Sequence, residues 1–221
     1  MHPLLANNLP RLRAAWRVTA GVEERTTPCF KIVNAETPKL YVFGMIGGYD
    51  NDSVDFVQAV HGITAKTIDL HVNSPGGFVY DGVAMYEALA GHSADVAVHV
   101  DGLAASAASF LAQAGTTIDI ARAGRMMIHD AQGIGIGSPS DMREFADLLD
   151  EVSNDISRIY ATRAGGTAGS WRKAMTATTW YSGQEAVDAK LADRVAGSTD
   201  GPDNRTRLIS ARLRALATQG G

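Results

Sequence analysis

The chain has 221 residues, 45% of them hydrophobic and 20% charged, with a net charge of −4. That balance suits one globular domain with short appendages that needs no disulfide or metal to fold, and it excludes a disordered or collagen-like chain. The acidic charge argues against a nucleic-acid binder held by phosphate contacts, and the lone cysteine, Cys29, allows neither an internal disulfide nor a zinc cluster.

A single free cysteine fits a reducing, cytoplasmic compartment. No apolar run approaches the roughly 20 residues of a membrane span. The richest window, Leu103–Ala114, is interrupted by Ser106, Ser109 and Gln113. The first residues lack the apolar core of a secretory signal, and Arg11, Arg13 and Arg17 around Leu12 and Trp16 read as a short surface helix at Leu9–Val18.

Phe30–Val33 and Leu40–Ile46 are apolar and β-branched and predict two strands around a turn. Gly47, Gly48, Asp50 and Asn51 break the chain, and Ser53 is expected to cap a helix carrying Val54, Phe56, Val57 and Val60. Thr67–Val72 reads as a strand, Asn73–Gly77 as a sharp turn and Val79–Ala90 as an amphipathic helix. Asp95–Val100 is another strand, ended by Asp101-Gly102, and Ala104–Ala114 is a small-residue buried helix. Thr117–Ile120 and Arg125–Ile128 are further strands. This β-α-β-α-β order predicts a largely parallel sheet flanked by helices.

Asp130–Gly137 holds three glycines and predicts a loop or distorted strand. Ser138-Pro139-Ser140-Asp141 starts a helix, with its cap, its first-turn proline and an acid in place. Met142, Phe145, Leu148, Leu149, Val152, Ile156, Ile159 and Tyr160 continue its apolar stripe until Gly165-Gly166. Ser182 and Glu185 form a capping box for a helix to about Lys190. Residues 198–221, with four arginines, read as a flexible or weakly helical tail.

Three segments carry chemistry. Asn73–Gly77 places two glycines after a strand, where the backbone can approach a ligand and present N–H groups. No Gly-Lys-Ser/Thr follows, so it is not a phosphate loop, and no cofactor is expected. Ser106 sits among alanines where a helix begins after a strand, with the Ala107 N–H beside it, a placement that serves a nucleophile. Ser109 is the rival, about one turn further in. His129 ends an apolar strand at the rim of a parallel sheet, where active sites collect. Together the three could supply an oxyanion turn, a nucleophile and the base a serine needs at neutral pH.

Asn73-Ser-Pro-Gly-Gly77, Asp101–Ser109, Met127-Ile-His129, Trp180–Ala186 and Leu191-Ala-Asp193 together resemble the Clp protease proteolytic subunit family, the ClpP-like serine peptidases. Within it the chain looks most like the phage and prophage head-maturation branch. The resemblance spans about Val42 to Val195. It implies an α/β fold, a ClpP/crotonase-like spiral of ββα units with a protruding strand-helix handle at about 131–164. The domain would run over 31–197, between an N-terminal extension, 1–30, and the tail.

The resemblance further implies Ser106 as nucleophile, His129 as general base, and the N–H groups of Gly77 and Ala107 as oxyanion hole. The family's third member is an acid, and the matching position here is Thr178, which cannot carry its charge. Thr178 is expected to accept a hydrogen bond from His129 instead. Asp130 is adjacent but on a strand points the other way. Asp188 and Asp193 would substitute only through an unexpected bend, and Asp193 is expected to close a turn. The implied partners are a polypeptide substrate, phage capsid or scaffold proteins among them, and further copies in a stacked ring. Residues 1–30 show no counterpart of the ATPase-docking loops, so an ATPase partner is not carried over. Two other readings stay open: a crotonase-like acyl-thioester enzyme, and a silent assembly protein that lost its acid.

Overall fold

The computed structural model describes residues 37–47 and 52–197. The expected helix Leu9–Val18, the strand Phe30–Val33 and the tail 198–221 lie outside them. In chain order the elements are β1 (Lys39–Ile46), α1 (Ser53–His61), β2 (Thr67–Gly77), α2 (Val79–Ala90), β3 (Asp95–Ala105) and α3 (Ala107–Leu111). After a 3₁₀ turn, Ala112–Ala114, come β4 (Thr117–Ile120), β5 (Arg125–Ile128), α4 (Pro139–Ala164), α5 (Ala168–Thr176), β6 (Thr179–Ser182), α6 (Gly183–Asp188) and β7 (Arg194–Val195).

Strands β1-β2-β3-β4-β7 form one parallel run, with β5 parallel to β3 and β6 antiparallel to β5. Alternation along the strands decides which face is covered. Leu40, Val42, Leu70, Val72, Val98 and Val100 are buried and share one core with Phe56, Val60, Met85 and Leu89 of α1 and α2. The residues between them point the other way. Tyr41, His71 and His99 stack across β1, β2 and β3 with ring centroids 4.8 Å apart at both steps. The expected helices therefore cover one face of these strands, and the other bears a half-exposed polar ladder.

Strand β3 divides its pairing. Ala97–Val100 pair with β4, and Leu103–Ala105 pair with β5. The strand was expected to end at Asp101-Gly102, but it continues to Ala105 because Ser74 of β2 and Met126 of β5 both pair with Ala104. Pairing on two sides overrides the local break. The same cause carries β2 through Asn73–Gly77, where a turn was expected: Met45 and Ile46 pair with Gly76 and Gly77. The expected helix Ala104–Ala114 is accordingly shorter.

Three end signals act as their chemistry predicts. Ser138 and Asp141 close a capping box on α4, and Ser182 and Glu185 another on α6. Glu185 accepts the Ser182 N–H, which holds its carboxyl below the ordinary range. Gly165 ends α4 at φ 80°. At α1 the cap is Asp52 rather than Ser53, because its carboxylate accepts both the Val54 and Asp55 N–H groups. No sequence pattern above predicts helix α5. Thr167 caps it through the Ser170 N–H, directly behind Gly165-Gly166. Among the described residues no helix is long and apolar enough to cross a membrane.

Candidate active site

The site forms where β2, β3 and β5 end side by side. The last residues of β2 pass so close to the β3–α3 junction that only glycine fits. A Cβ at Gly76, whose φ is 94°, would lie 2.6 Å from the Ser106 Cβ and 2.8 Å from the Ala107 nitrogen. One at Gly77 would meet the Ile46 carbonyl oxygen at 2.0 Å. The buried Ser74 hydroxyl accepts the Gly76 N–H at 3.1 Å and holds this edge.

Ser106 is the single residue between β3 and α3. Its backbone stands at φ 53°, ψ −124°, a region that costs a non-glycine residue about 1–3 kcal/mol and persists only when its surroundings impose it. They do so from both sides. The Ser106 N–H donates to the Met127 carbonyl at 2.9 Å, and the Ser106 carbonyl accepts the Ser109 N–H at 2.9 Å. Ala104, Ala105, Ala107 and Ala108 are all buried around it; larger side chains would push the junction apart.

His129 follows β5, and its Nε2 lies 2.8 Å from the Ser106 Oγ. For Nε2 to accept the hydroxyl proton, the ring proton must sit on Nδ1. Nδ1 is buried and has no hydrogen-bond partner among the described residues. An unpaired buried donor of this kind costs about 1–3 kcal/mol.

The sequence-predicted residues thus come together in part. Strand β6 pairs with β5 as far as Ile128 with Thr179, so Thr178 is the next residue opposite His129 in register. Yet Thr178 is exposed and stands at φ 52°, its N–H bonded to the Met175 carbonyl. The expected hydrogen bond from His129 to Thr178 is not made, because the chain leaves α5 through this left-handed residue with its side chain in solvent.

The other acids are engaged elsewhere. Asp130 accepts from Arg172 Nε at 2.7 Å and from Thr176 Oγ1 at 2.8 Å, pointing away from the imidazole as its strand position implied. Asp188 accepts from Gln184. Asp193 accepts the Ile118 N–H and an Arg163 N–H, each at 2.6 Å, tying the turn before β7 to β4 and α4.

No local sequence signal marks Arg172. It donates to Asp130, to the Asp150 carboxylate and to Asn154, and its pKa is raised chiefly by the Asp130 hydrogen bond. The residue after His129 is thereby clamped to α4 and α5. Ser109, the rival serine, is fully buried with its hydroxyl engaged inside the protein, so it cannot meet a substrate.

Ser106, Ala107, Gly77 and His129 line a cleft of about 530 Å³, whose apolar wall includes Met45, Phe78, Phe110, Phe145 and Leu149. A serine on a strained strand-to-helix turn, hydrogen-bonded to a histidine beside backbone N–H groups, is the arrangement of serine-type hydrolases. Among the described residues no group of three His, Cys, Asp or Glu side chains is gathered for a metal.

The comparisons agree with that class. Residues 56–199 match the Clp protease family model. ATP-dependent Clp protease proteolytic subunit 2 of Corynebacterium glutamicum is 31% identical over 140 residues, covering 62% of this chain and 69% of that one. The proteolytic subunit of Chlorella vulgaris is 31% identical over 137 residues, 61% of this chain and 68% of that one. Subunit 3 of Streptomyces coelicolor is 34% identical over 134 residues, 59% of this chain and 61% of that one. The chain belongs to the Clp protease family.

Proposed function

We propose that the chain is a serine endopeptidase acting through an acyl-enzyme on Ser106. The observation that carries this reading is the 2.8 Å contact between Ser106 Oγ and His129 Nε2 at the mouth of an apolar cleft. Ser106 Oγ attacks the peptide carbonyl while its proton passes to His129 Nε2. The oxyanion takes hydrogen bonds from the Gly77 and Ala107 N–H groups. Collapse breaks the C–N bond, and His129 returns the proton to the leaving amine. Water then repeats the sequence on the ester and frees Ser106.

The substrate lies extended along 131–137. That segment pairs with no strand among the described residues and exposes Ile134 and Ile136, so past Ala131, whose N–H donates to Ser153 Oγ, its backbone can add hydrogen bonds to a passing strand. The first turns of α4 leave Met142 exposed and Phe145, Leu148 and Leu149 only half covered. This uncovered stripe supports pairing of the handle with another copy, in a homo-oligomeric stacked ring. The domain we assign runs from about 31 to 197. Sedimentation is expected to show an oligomer at micromolar concentration; a fully active monomer would contradict the pairing.

The finer reading, cleavage of capsid or scaffold proteins during phage head maturation, rests on the motif set that resembles that branch. Portal and capsid genes beside this one would support it, and housekeeping neighbours would contradict it. The unpartnered His129 Nδ1 favours a second reading, a catalytically silent assembly protein. A crotonase-like acyl-thioester enzyme would have no use for the Ser–His contact. Hydrolysis of a fluorogenic peptide by the wild type, abolished in Ser106→Ala of unchanged oligomer size, separates the peptidase from both.

A further inference from the structure

The proposed chemistry makes no use of a buried pair of hydroxyls, of which Ser109 bonds the nucleophile's backbone and Tyr160 bonds Ser109. Ser109 Oγ donates to the Ser106 carbonyl at 2.5 Å. A hydroxyl has one proton, so the 2.7 Å contact between Ser109 Oγ and the Tyr160 hydroxyl must be donated by tyrosine. The relay therefore runs in one direction, from Tyr160 through Ser109 to the Ser106 carbonyl. Tyr160 is buried on α4, and burial raises its pKa well above the ordinary phenol value, so it keeps the proton it donates.

The Ser106 carbonyl shares a peptide plane with the Ala107 N–H. In a trans peptide the C=O and N–H point in opposite directions, and this chain has no cis bond among the described residues. Whatever holds the Ser106 oxygen inward aims the Ala107 N–H outward, toward the cleft that Ala107 lines. The carbonyl is held inward twice, by the Ser109 N–H and by the Ser109 hydroxyl. Hydrogen bonds to a carbonyl also polarise its peptide and strengthen donation by the N–H at its other end.

We propose that Tyr160 and Ser109 are positioning residues for the oxyanion-binding N–H of Ala107, and that through them α4 sets the catalytic geometry of the Ser106 turn. This rests on the peptidase reading. It assigns the buried serine a part in the reaction without touching substrate, and it makes a handle-helix residue a determinant of turnover.

The relay acts on the transition state, where the oxyanion exists, and not on ground-state binding, so its loss should lower kcat and leave KM alone. The test compares wild type, Tyr160→Phe, Ser109→Ala and the double variant at a temperature where all are folded. It reads kcat, KM and the affinity of a peptide boronate, which bonds to a serine Oγ as a tetrahedral adduct. Losing a whole oxyanion donor costs about 10²–10³ in kcat; misaiming one should cost roughly tenfold.

Tyr160→Phe and Ser109→Ala are expected to lower kcat by that amount, with KM within about twofold and boronate affinity falling in step. The double variant should be no worse than Ser109→Ala, because both act through one carbonyl. Unchanged kcat, a loss confined to KM, or multiplying losses overturns the relay. If Ser109→Ala does not fold, Tyr160→Phe, which removes one oxygen, decides alone. A wild type that neither turns over peptide nor labels Ser106 with a fluorophosphonate overturns the peptidase reading and the relay with it. An active, labelled wild type with unaffected variants overturns the relay only.

Discussion

Ser106 and Thr178 stand at almost the same left-handed φ, 53° and 52°. They occupy comparable places, at the end of β3 and the start of β6, the two strands that flank β5 and its His129. The chain treats them differently. Ser106 is held by hydrogen bonds on both sides of its peptide and meets His129 Nε2. Thr178 is exposed and does not reach Nδ1, which is left without a partner among the described residues. An unusual backbone angle alone is therefore no sign of function. What distinguishes Ser106 is that its surroundings impose the angle and then use the side chain it presents.

Removing the histidine should have the greatest consequence. His129→Ala should lower peptide turnover by about 10⁴-fold or more, since a serine without its base barely attacks at neutral pH. Thr178→Val, measured beside it under steady state on a fluorogenic peptide, should stay within about threefold of wild type, because no contact with His129 exists to be lost. Comparable losses in the two variants would mean that Thr178 already serves the imidazole.

Thr178 lies opposite His129 in register, and a buried carboxylate orienting a triad histidine can be worth about 10⁴ in turnover. A carboxylate placed there by Thr178→Asp has to turn in from the solvent-facing direction of the Thr178 side chain to pair with Nδ1, and with that pairing turnover should rise by at least about tenfold, a cautious fraction of that value. An assembled but no faster variant would show that the new carboxylate stays in solvent, where Thr178 holds its side chain.

The smallest effect concerns stability. A β-branched residue in the left-handed region is strained, and short polar side chains tolerate that region best. Thr178→Asn should raise unfolding free energy by about 0.5–1 kcal/mol, read as a higher denaturant midpoint at unchanged slope. No gain would mean that the local fold accommodates Thr178 without strain.

Much of this site was legible in the residues, and the exceptions have a common cause. Ser106, His129 and the glycine pair announce themselves by residue type at element ends, and α4 by its stripe and capping box. Segments whose conformation is set by partners far along the chain were not legible. Asn73–Gly77 and Asp101–Ala105 carry local turn signals but are strand, because β1, β2 and β5 pair with them. Four-residue β6 exists through its pairing with β5. Arg172 clamps Asp130 only once α5 has docked on α4.

The chemistry rests on one claim, that His129 activates Ser106. The most direct test treats the purified protein with a fluorophosphonate and maps the adduct by mass spectrometry. The adduct is expected on the peptide containing Ser106, absent in Ser106→Ala and much slower to form in His129→Ala. An adduct on Ser109 instead, or none on a correctly assembled wild type, would contradict the claim.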